Sequence, residues 1–312
     1  MPTPRKDRAS TTEPRLDAKK VRIGAQPIIW SNDDFYELGE ATPLDQCLSE
    51  MKAAGYAGTE LGHKFPSDKE ALKEVLARHG LALISGWHST YLASKDFESE
   101  KKDFLRHLDF LAALDSKVVI VAECTGRTYN AAERLMGRGS CSGVLEEAGW
   151  KKVCAGLETF GKLARDKGLK LVYHPHMGTV IETRAEIDRL LDAAKTVWLL
   201  ADTGHFFFAG VEPLKMFRDY RARIAHVHLK NVRPAVVEEA AALRLSFCDA
   251  VKRGVFTVPG DGGIDYAPFF EILAEEKYAG WMVVEAEQDP AKAPPLEYVR
   301  RARAYLKQAT GI

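Results

Sequence analysis

The chain has 312 residues, enough for one large domain or two ordinary ones, and 46% of them are hydrophobic, an ordinary fraction for a globular protein. Its 44 Lys and Arg residues balance 44 Asp and Glu residues, so charge gives no reason to expect DNA, RNA or an anionic membrane as a partner. No apolar stretch approaches the length of a transmembrane helix.

The first residues of the chain are polar and include proline, without the apolar segment of a secretory signal. We expect residues 1–20 to form a disordered tail, and Asp7, Glu13 and Asp17 argue against an organellar transit peptide. Because no domain boundary follows the tail, residues 21–312 are predicted to form a single catalytic domain. The five cysteines are scattered and lack any C-x-x-C pairing, which favours a reduced, cytoplasmic setting.

After the tail, strand-like apolar runs alternate regularly with amphipathic helices. Strands are predicted at 21–30, 57–62, 81–87, 117–124, 170–176, 197–202, 224–230 and 281–287. Helices are predicted at 43–55, 67–80, 98–114, 146–168, 183–195, 212–222, 266–280 and 295–309, with a short one near 236–252. This β–α alternation requires a parallel sheet, and eight units predict an α/β protein with a closed (β/α)8 TIM barrel. An open doubly wound sheet is less favoured, because no G-x-G-x-x-G follows any strand.

Side chains of the kind that bind metals end each of the last four predicted strands. In chain order the pairs are His174 and His176, Asp202 and His205, His226 and His228, and Glu285 and Glu287. The carboxyl ends of TIM-barrel strands converge on one mouth, so these side chains are expected to share a pocket. We predict one divalent metal with the ligands His174, Asp202, His228 and Glu285. Two imidazoles and two carboxylates suit Mn²⁺ or Co²⁺.

Each of these ligands also has a structural reading when it is taken alone. A single histidine at a strand end is often a satisfied core or loop residue, and Asp202 is also a plausible loop cap. His226 alternates with His228 along one strand and therefore points to the same face, one pleat deeper, where it is expected to support the ligand. His176 and His205 are candidates for hydrogen bonds to substrate hydroxyls or to the metal ligands.

Five segments of the second half resemble one enzyme family. They are YHPHMGTVIET (173–183), DTGHFFFAG (202–210), HVHLKNVRPAV (226–236), SFCDAVKRGVFTVPGDGGIDY (246–266) and GWMVVEAEQDPAKAPPLEY (280–298). They look like the myo-inosose-2 dehydratases, which belong to the xylose-isomerase-like TIM barrels together with sugar isomerases, ketose epimerases and endonuclease IV. The resemblance implies loss of water from scyllo-inosose (2-keto-myo-inositol) to give a trihydroxycyclohexane-1,2-dione in inositol catabolism. It also implies Mn²⁺ or Co²⁺ and a possible use of glutathione, for which no residue here gives a sign.

The resemblance and the strand ends together suggest which residues act on a cyclitol. Glu285 is a candidate for both ligand and base, Glu60 is the other carboxylate of the mouth, and His176 and Lys230 are candidate proton donors. Candidates for substrate binding are Trp30, Asn32, His63, Trp87, His88, Glu123, His205 and Arg233. The tryptophans either stack on a ring or roof the barrel, Asn32 is also an ordinary loop residue, and Arg233 is also a plausible charge partner of Glu285 or Asp202.

Other functions of the same barrel are the alternatives. Ketose epimerases have a glutamate at the strand-five ligand position and need an acid and a base on opposite faces of the substrate. His174 stands there in this chain, which weighs against a ketose 3-epimerase or sugar isomerase. An endonuclease would need a basic DNA-binding face, which zero net charge disfavours. A non-catalytic cyclitol-binding protein is the remaining alternative, and a homo-oligomer is possible for any of them.

Overall fold

The computed structural model describes residues 15–126 and 145–312, and it has a parallel sheet surrounded by helices. The strands are β1 Val21–Ala25, β2 Gly58–Thr59, β3 Ala82–Leu83, β4 Trp87–Thr90, β5 Val118–Glu123, β6 Lys170–Tyr173, β7 Trp198–Asp202, β8 Ile224–Leu229, β9 Asn231–Val232, β10 Phe256–Thr257 and β11 Gly280–Val284. The helices are α1 Leu44–Ala53, α2 Lys69–His79, α3 Phe97–Ala113, α4 Glu147–Asp166, α5 Arg184–Ala193, α6 Thr203–Phe208, α7 Pro213–Tyr220, α8 Pro234–Ala242, α9 Phe247–Arg253, α10 Ala267–Glu275 and α11 Pro295–Thr310.

The sheet closes into a barrel because its two end strands are parts of one chain segment. The order of the nine sheet strands is β3-β2-β1-β11-β8-β7-β6-β5-β4, with all pairs parallel. Between β3 and β4, Ile84 donates its N–H to Thr59 of β2, while Gly86 accepts a hydrogen bond from Ile120 of β5. Residues 82–90 therefore form one interrupted strand of an eight-strand ring, and the predicted (β/α)8 TIM barrel is confirmed.

The barrel interior has an apolar layer beneath a polar one. Val172 and Leu200 belong to an inner cluster that also includes Ile120 and the partly buried Trp198. His174 and Asp202 lie two residues further along the same strands, and residues two apart on a strand share a face. The polar side chains therefore lie beyond the apolar layer, at the carboxyl ends of the strands, where this fold has its active sites.

Several local elements differ from the sequence predictions. The first strand ends at Ala25 rather than at residue 30, because Gln26 accepts a hydrogen bond from Ile28 N and starts a 3₁₀ turn. The region predicted to hold one short helix near 236–252 contains both α8 and α9, enclosed by an antiparallel pair of β9 and β10. Helix α6 was not predicted, and it begins directly after Asp202, whose side chain caps it by accepting the N–H of His205.

The predicted tail lies mostly outside the described residues, which begin at residue 15. Of its last residues, Leu16 packs partly against the core, and Val21 N–H donates to the carbonyl of Asp17. No helix in the described ranges is both long and apolar enough to cross a bilayer.

Candidate active site

A cavity of about 180 Å³ opens at the carboxyl ends of the barrel strands. Side chains of metal-binding type form one part of its wall, and these are Glu60, His174, His176, His228 and Glu285. The rest of the lining comes from the opposite strands and loops, namely Gln26, Ile28, Asp33, Asp34, Leu61, Trp87, Ser89 and Ile120. The cavity therefore joins a cluster of ionisable groups to a partly apolar wall, as expected for a small-molecule site.

The four predicted metal ligands converge at this cavity. Asp202 Oδ2 lies 3.5 Å from His174 Nε2 and 3.6 Å from His228 Nδ1. Glu285 Oε2 contacts the same His228 Nδ1. All four side chains are at most 4% exposed, and they come from the ends of β6, β7, β8 and β11. Ligand atoms of His174, Asp202 and His228 lie close enough together to hold one ion.

The hydrogen bonding of these atoms fits a bound cation. Both ring nitrogens of His174, Asp202 Oδ2, His228 Nδ1 and Glu285 Oε2 are buried and make no hydrogen bond of ordinary geometry, although the charged groups among them lie against one another. Leaving buried polar atoms without partners is costly, and native proteins rarely do so outside sites that bind an ion or water. A divalent cation among these atoms would satisfy His174 Nε2, Asp202 Oδ2, His228 Nδ1 and Glu285 Oε2 together, so the residues present fit a mixed nitrogen and oxygen metal site.

Glu60 approaches the ligand group from across the barrel. Its Oε1 accepts hydrogen bonds from Ser85 Oγ and from His226 Nε2, both at 2.7 Å, and its Oε2 lies 3.2 Å from His228 Nε2. Burial raises the pKa of Glu60, but His228 and the hydrogen bonds from His226 and His228 outweigh it and hold the pKa well below its usual range. The Glu60 carboxylate faces the far nitrogen of His228, as carboxylates commonly do behind metal-binding histidines. His226 lies beside it in the supporting position expected from the sequence.

Lys230 occupies a buried layer behind the ligands. Its ammonium lies 2.8 Å from Glu285 Oε1, 2.6 Å from Glu287 Oε2 and 2.8 Å from His205 Nε2. Burial raises the pKa of Asp202, but Lys230 and the neighbouring His205, His174 and His228 together outweigh this effect and keep the pKa well below its usual range. Lys230 is 0% exposed and does not line the cavity. The structure thus places this predicted proton donor where it supports carboxylates rather than where it faces a substrate.

His176 and Trp87 form the part of the cavity wall that adjoins the ligands. His176 Nδ1 lies 3.0 Å from the carbonyl oxygen of Met177, which fixes the ring proton on Nδ1. Burial, followed by the neighbouring His205 and His174, keeps the pKa of His176 well below its usual value. The Trp87 ring meets the rings of His174 and His176 edge-on, each at 5.6 Å, and its N–H donates to Ser89 Oγ.

Several residues proposed for substrate binding lie outside the cavity lining. Trp30 is fully buried and its indole N–H donates to Glu50 Oε2, so it packs in the core. Asn32 caps a loop, with its Oδ1 accepting hydrogen bonds from the N–H groups of Asp34 and Phe35. His88 points to the opposite side of β4 from Trp87 and stacks on His107 of α3. Neighbouring residues of a strand face opposite sides, so Trp87 and His88 cannot both line the cavity.

Glu123, His205 and Arg233 also bind the protein itself. Glu123 accepts hydrogen bonds from Thr90 Oγ1, from Leu92 N and from the hydroxyl of Thr125, which fixes the loop after β4. His205 is 0% exposed and accepts from Lys230. Arg233 pairs with Asp261 at 2.8 Å and donates to carbonyls of Gly254 and Phe256, so its charge partner is neither Glu285 nor Asp202.

Beside the cavity, His63 contacts the acidic loop after the first strand, in which the sequence makes Asp33 and Asp34 candidates for contacts with substrate hydroxyls. His63 Nδ1 lies 2.5 Å from Asp33 Oδ1, and the His63 ring packs against Tyr36. Asp33 and Asp34 line the cavity, whereas His63 lines a neighbouring cleft. Glu287 was noted at its strand end without a role, and the structure places it against Lys230. The position of Glu287 could have been predicted by continuing the alternation of β11 past its end, because Glu285 and Glu287 then share a face.

Comparisons with known proteins agree with this architecture. The family described as xylose isomerase-like TIM barrel matches residues 17–309. The chain is 44% identical to an inosose dehydratase of Clostridium perfringens over 94% of this chain and 98% of that protein. It is 45% identical, with the same coverage, to inosose dehydratase 1 of Bacillus cereus. A D-allulose 3-epimerase of Methylomonas sp. has a similar fold, with a TM-score of 0.65 and 17% identity over 95% of this chain and 99% of that one.

Proposed function

This chain belongs to the xylose isomerase-like TIM barrel family and, within it, to the inosose dehydratases, and from that premise we propose a substrate and a metal for it. As a family member it is a hydro-lyase of inositol metabolism. The proposed reaction removes water from scyllo-inosose to give a trihydroxycyclohexane-1,2-dione. The proposed cofactor is Mn²⁺ or Co²⁺ with the ligands His174, Asp202, His228 and Glu285.

One observation carries the metal dependence of this proposal. Buried ligand atoms on four neighbouring strand ends face one another without hydrogen bonds of ordinary geometry, and three of the four side chains, His174, His228 and Glu285, line the cavity. When bound there, a divalent cation would supply Lewis-acid polarisation of the substrate ketone. The ligands are held in place by their neighbours, with Lys230 on Glu285 and Glu60 on His228.

We assign the proton transfer to His176. Its Nδ1 donates to the Met177 carbonyl, so its Nε2 is the basic nitrogen, and the lowered pKa keeps the ring neutral before reaction. Nε2 takes the proton from the carbon next to the ketone, and the electron pair of that C–H bond forms a C=C bond as the β-hydroxyl leaves. The same proton passes from Nε2 to the departing oxygen, so that water is released, and the enol product tautomerises to the dione.

Trp87 provides the apolar surface that a cyclitol ring requires. Its ring lines the cavity, and its N–H is already engaged by Ser89, so the aromatic face is available for contact with the C–H groups of the substrate. Asp33 and Asp34 lie on the lining near the rim, where acidic oxygens accept hydrogen bonds from hydroxyls. These contacts would orient a polyhydroxylated ring between Trp87 and the ligand group.

The experiment that tests the proposal is a metal-dependent product assay. Protein treated with a chelator is incubated with scyllo-inosose alone, with Mn²⁺ and with Co²⁺, and formation of the ultraviolet-absorbing dione is followed. We expect product only where metal is restored, and a further arm with glutathione tests whether it adds to the rate. Equal activity without metal would contradict the proposed cofactor. An inverted or isomerised product with no dione would assign the site to a ketose 3-epimerase or sugar isomerase instead.

A further inference from the structure

A second group of possible cation ligands lies directly behind the first. His176, His205 and Glu287 bring ligand atoms within 4.8 Å of one another, and so do Asp202, His205 and Glu285. All of these side chains are buried. Two imidazoles and a carboxylate satisfy the ordinary donor requirements of a divalent ion, so the donor set by itself suits a centre with two metals.

The ammonium of Lys230 occupies this second position. Its Nζ is surrounded by Glu287 Oε2 at 2.6 Å, Glu285 Oε1 and His205 Nε2 each at 2.8 Å, and Asp202 Oδ2 at 3.4 Å. Three carboxylates and one imidazole nitrogen thus converge on a single buried positive charge. An ion of the same sign cannot share that space.

The neighbouring residues make room for this lysine. An ideal Cβ on Gly204 would lie 2.5 Å from Lys230 Cγ and 2.8 Å from its Cδ, so the stem passes where only glycine leaves space. The Phe256 ring lies 5.0 Å from Nζ on another side. The sequence DTGH at the end of β7 therefore supplies a proposed metal ligand, a gap for the lysine stem and the imidazole that the lysine contacts.

We propose that Lys230 is a built-in cation that takes the place of a second divalent metal and keeps the centre mononuclear. The inference rests on the metal site of the proposed function. The Lys230 ammonium lies between Glu285, a proposed ligand, and Glu287, and its positive charge offsets the negative charge of Glu287. It is a positioning residue, because it does not line the cavity.

Metal stoichiometry tests the proposal directly. Saturating Mn²⁺ is added to the chelator-treated full chain, and bound metal is measured by equilibrium dialysis with elemental analysis. We expect about one Mn²⁺ per chain in the wild type and about two in Lys230→Ala, whose shortened side chain opens the second group. Electron paramagnetic resonance of Lys230→Ala should show the broadening of two neighbouring Mn²⁺ ions, which the wild type lacks.

The matched control removes the second group together with the lysine. Lys230→Ala combined with Glu287→Ala should return to about one Mn²⁺ per chain, because a ligand of the second position is gone. A folded Lys230→Ala that binds one Mn²⁺ at saturation overturns the inference and leaves the proposed function intact. No Mn²⁺ in the wild type overturns both.

A second variant covers the case in which Lys230→Ala does not fold. Glu287→Gln retains the lysine and should still bind about one Mn²⁺, because Glu287 is not a metal ligand when the lysine is present. Two ions in the wild type, or loss of the single ion in Glu287→Gln, overturns the inference.

Discussion

Buried carboxylates make different contacts on the two sides of the barrel mouth. On the side of β6, β7, β8 and β11, Asp202 Oδ2 and Glu285 Oε2 make no hydrogen bond of ordinary geometry and lie against the same histidine nitrogen. On the side of β4 and β5, Glu123 is equally buried but accepts hydrogen bonds from Thr90, Leu92 and Thr125. Glutamates at strand ends therefore serve two purposes, and the partners of each oxygen separate an ion-binding group from a loop cap.

A single buried polar atom without a hydrogen bond does not by itself indicate a metal site. Ser31 Oγ, Asn32 Nδ2 and His88 Nε2 are also buried without partners on the β1 to β5 side. They are neutral groups, two in the loop after β1 and one on β4, whereas the atoms of His174, Asp202, His228 and Glu285 converge on one position. Convergence of charged groups, rather than a single unsatisfied atom, is thus the feature that indicates a metal.

The largest expected difference between the two sides is seen with matched amide substitutions. Glu285→Gln should lower kcat/KM on the order of 10³-fold or more and weaken Mn²⁺ binding, because it removes an anionic ligand. Glu123→Gln should retain metal and activity while losing about 1–3 kcal/mol of unfolding free energy from its hydrogen bonds. Steady-state kinetics, elemental analysis and urea unfolding measure the three quantities. Equal losses of activity in the two variants would contradict the assignment of Glu285 as a metal ligand and Glu123 as a loop cap.

Substitution of His176 separates proton transfer from metal binding. His176→Asn should lower kcat by about 10²- to 10⁴-fold, the usual contribution of a general base, with Mn²⁺ stoichiometry unchanged. Retention of metal is the control, since His176 is not among the proposed ligands. Wild-type kcat in this variant would show that another residue of the cavity lining transfers the proton.

Glu60 tests how far support from behind a ligand matters. Glu60→Gln should weaken Mn²⁺ binding by about 10- to 100-fold, because the amide no longer holds the far nitrogen of His228 as an anion does. Isothermal titration of the metal-free protein with Mn²⁺ measures this directly. Ser85→Ala removes only a hydroxyl from the same carboxylate and should have a smaller effect. An unchanged affinity in Glu60→Gln would show that His228 needs no partner.

The sequence allowed the barrel and the convergence of His174, Asp202, His228 and Glu285 to be predicted because both follow from periodic patterns, while their binding of a metal stays a prediction. Alternation of β and α elements determines the parallel sheet, and strand ends of a closed barrel meet at one mouth. The partners of Trp30 and Arg233 had no such signal, because Glu50 and Asp261 reach them through tertiary packing. Lys230 was found at the correct strand end, but its contacts depend on Gly204 and Glu287, which lie on two other segments of the chain.

The last effect is on stability alone and concerns His88, which the structure places on the α3 side of β4. Burial, followed by the charge of a protonated His107, lowers the pKa of His88 to about 4, from an ordinary value near 6.5. The unfolded chain therefore binds a proton more readily than the folded one between these values. The contribution to stability is present above pH ~6.5, is lost as the pH falls toward about 4, and amounts to at most about 3 kcal/mol.

His88→Asn should remove this part of the acid sensitivity and leave turnover at neutral pH unchanged. Urea unfolding of the wild type and the variant at several pH values between 4 and 7 gives the difference in unfolding free energy. We expect the variant to lose less stability than the wild type on acidification, since asparagine has no proton to gain. If the unfolding free energies of the two proteins change equally with pH, His88 is not a buried neutral group. A large loss of kcat in the variant would indicate that His88 faces the substrate.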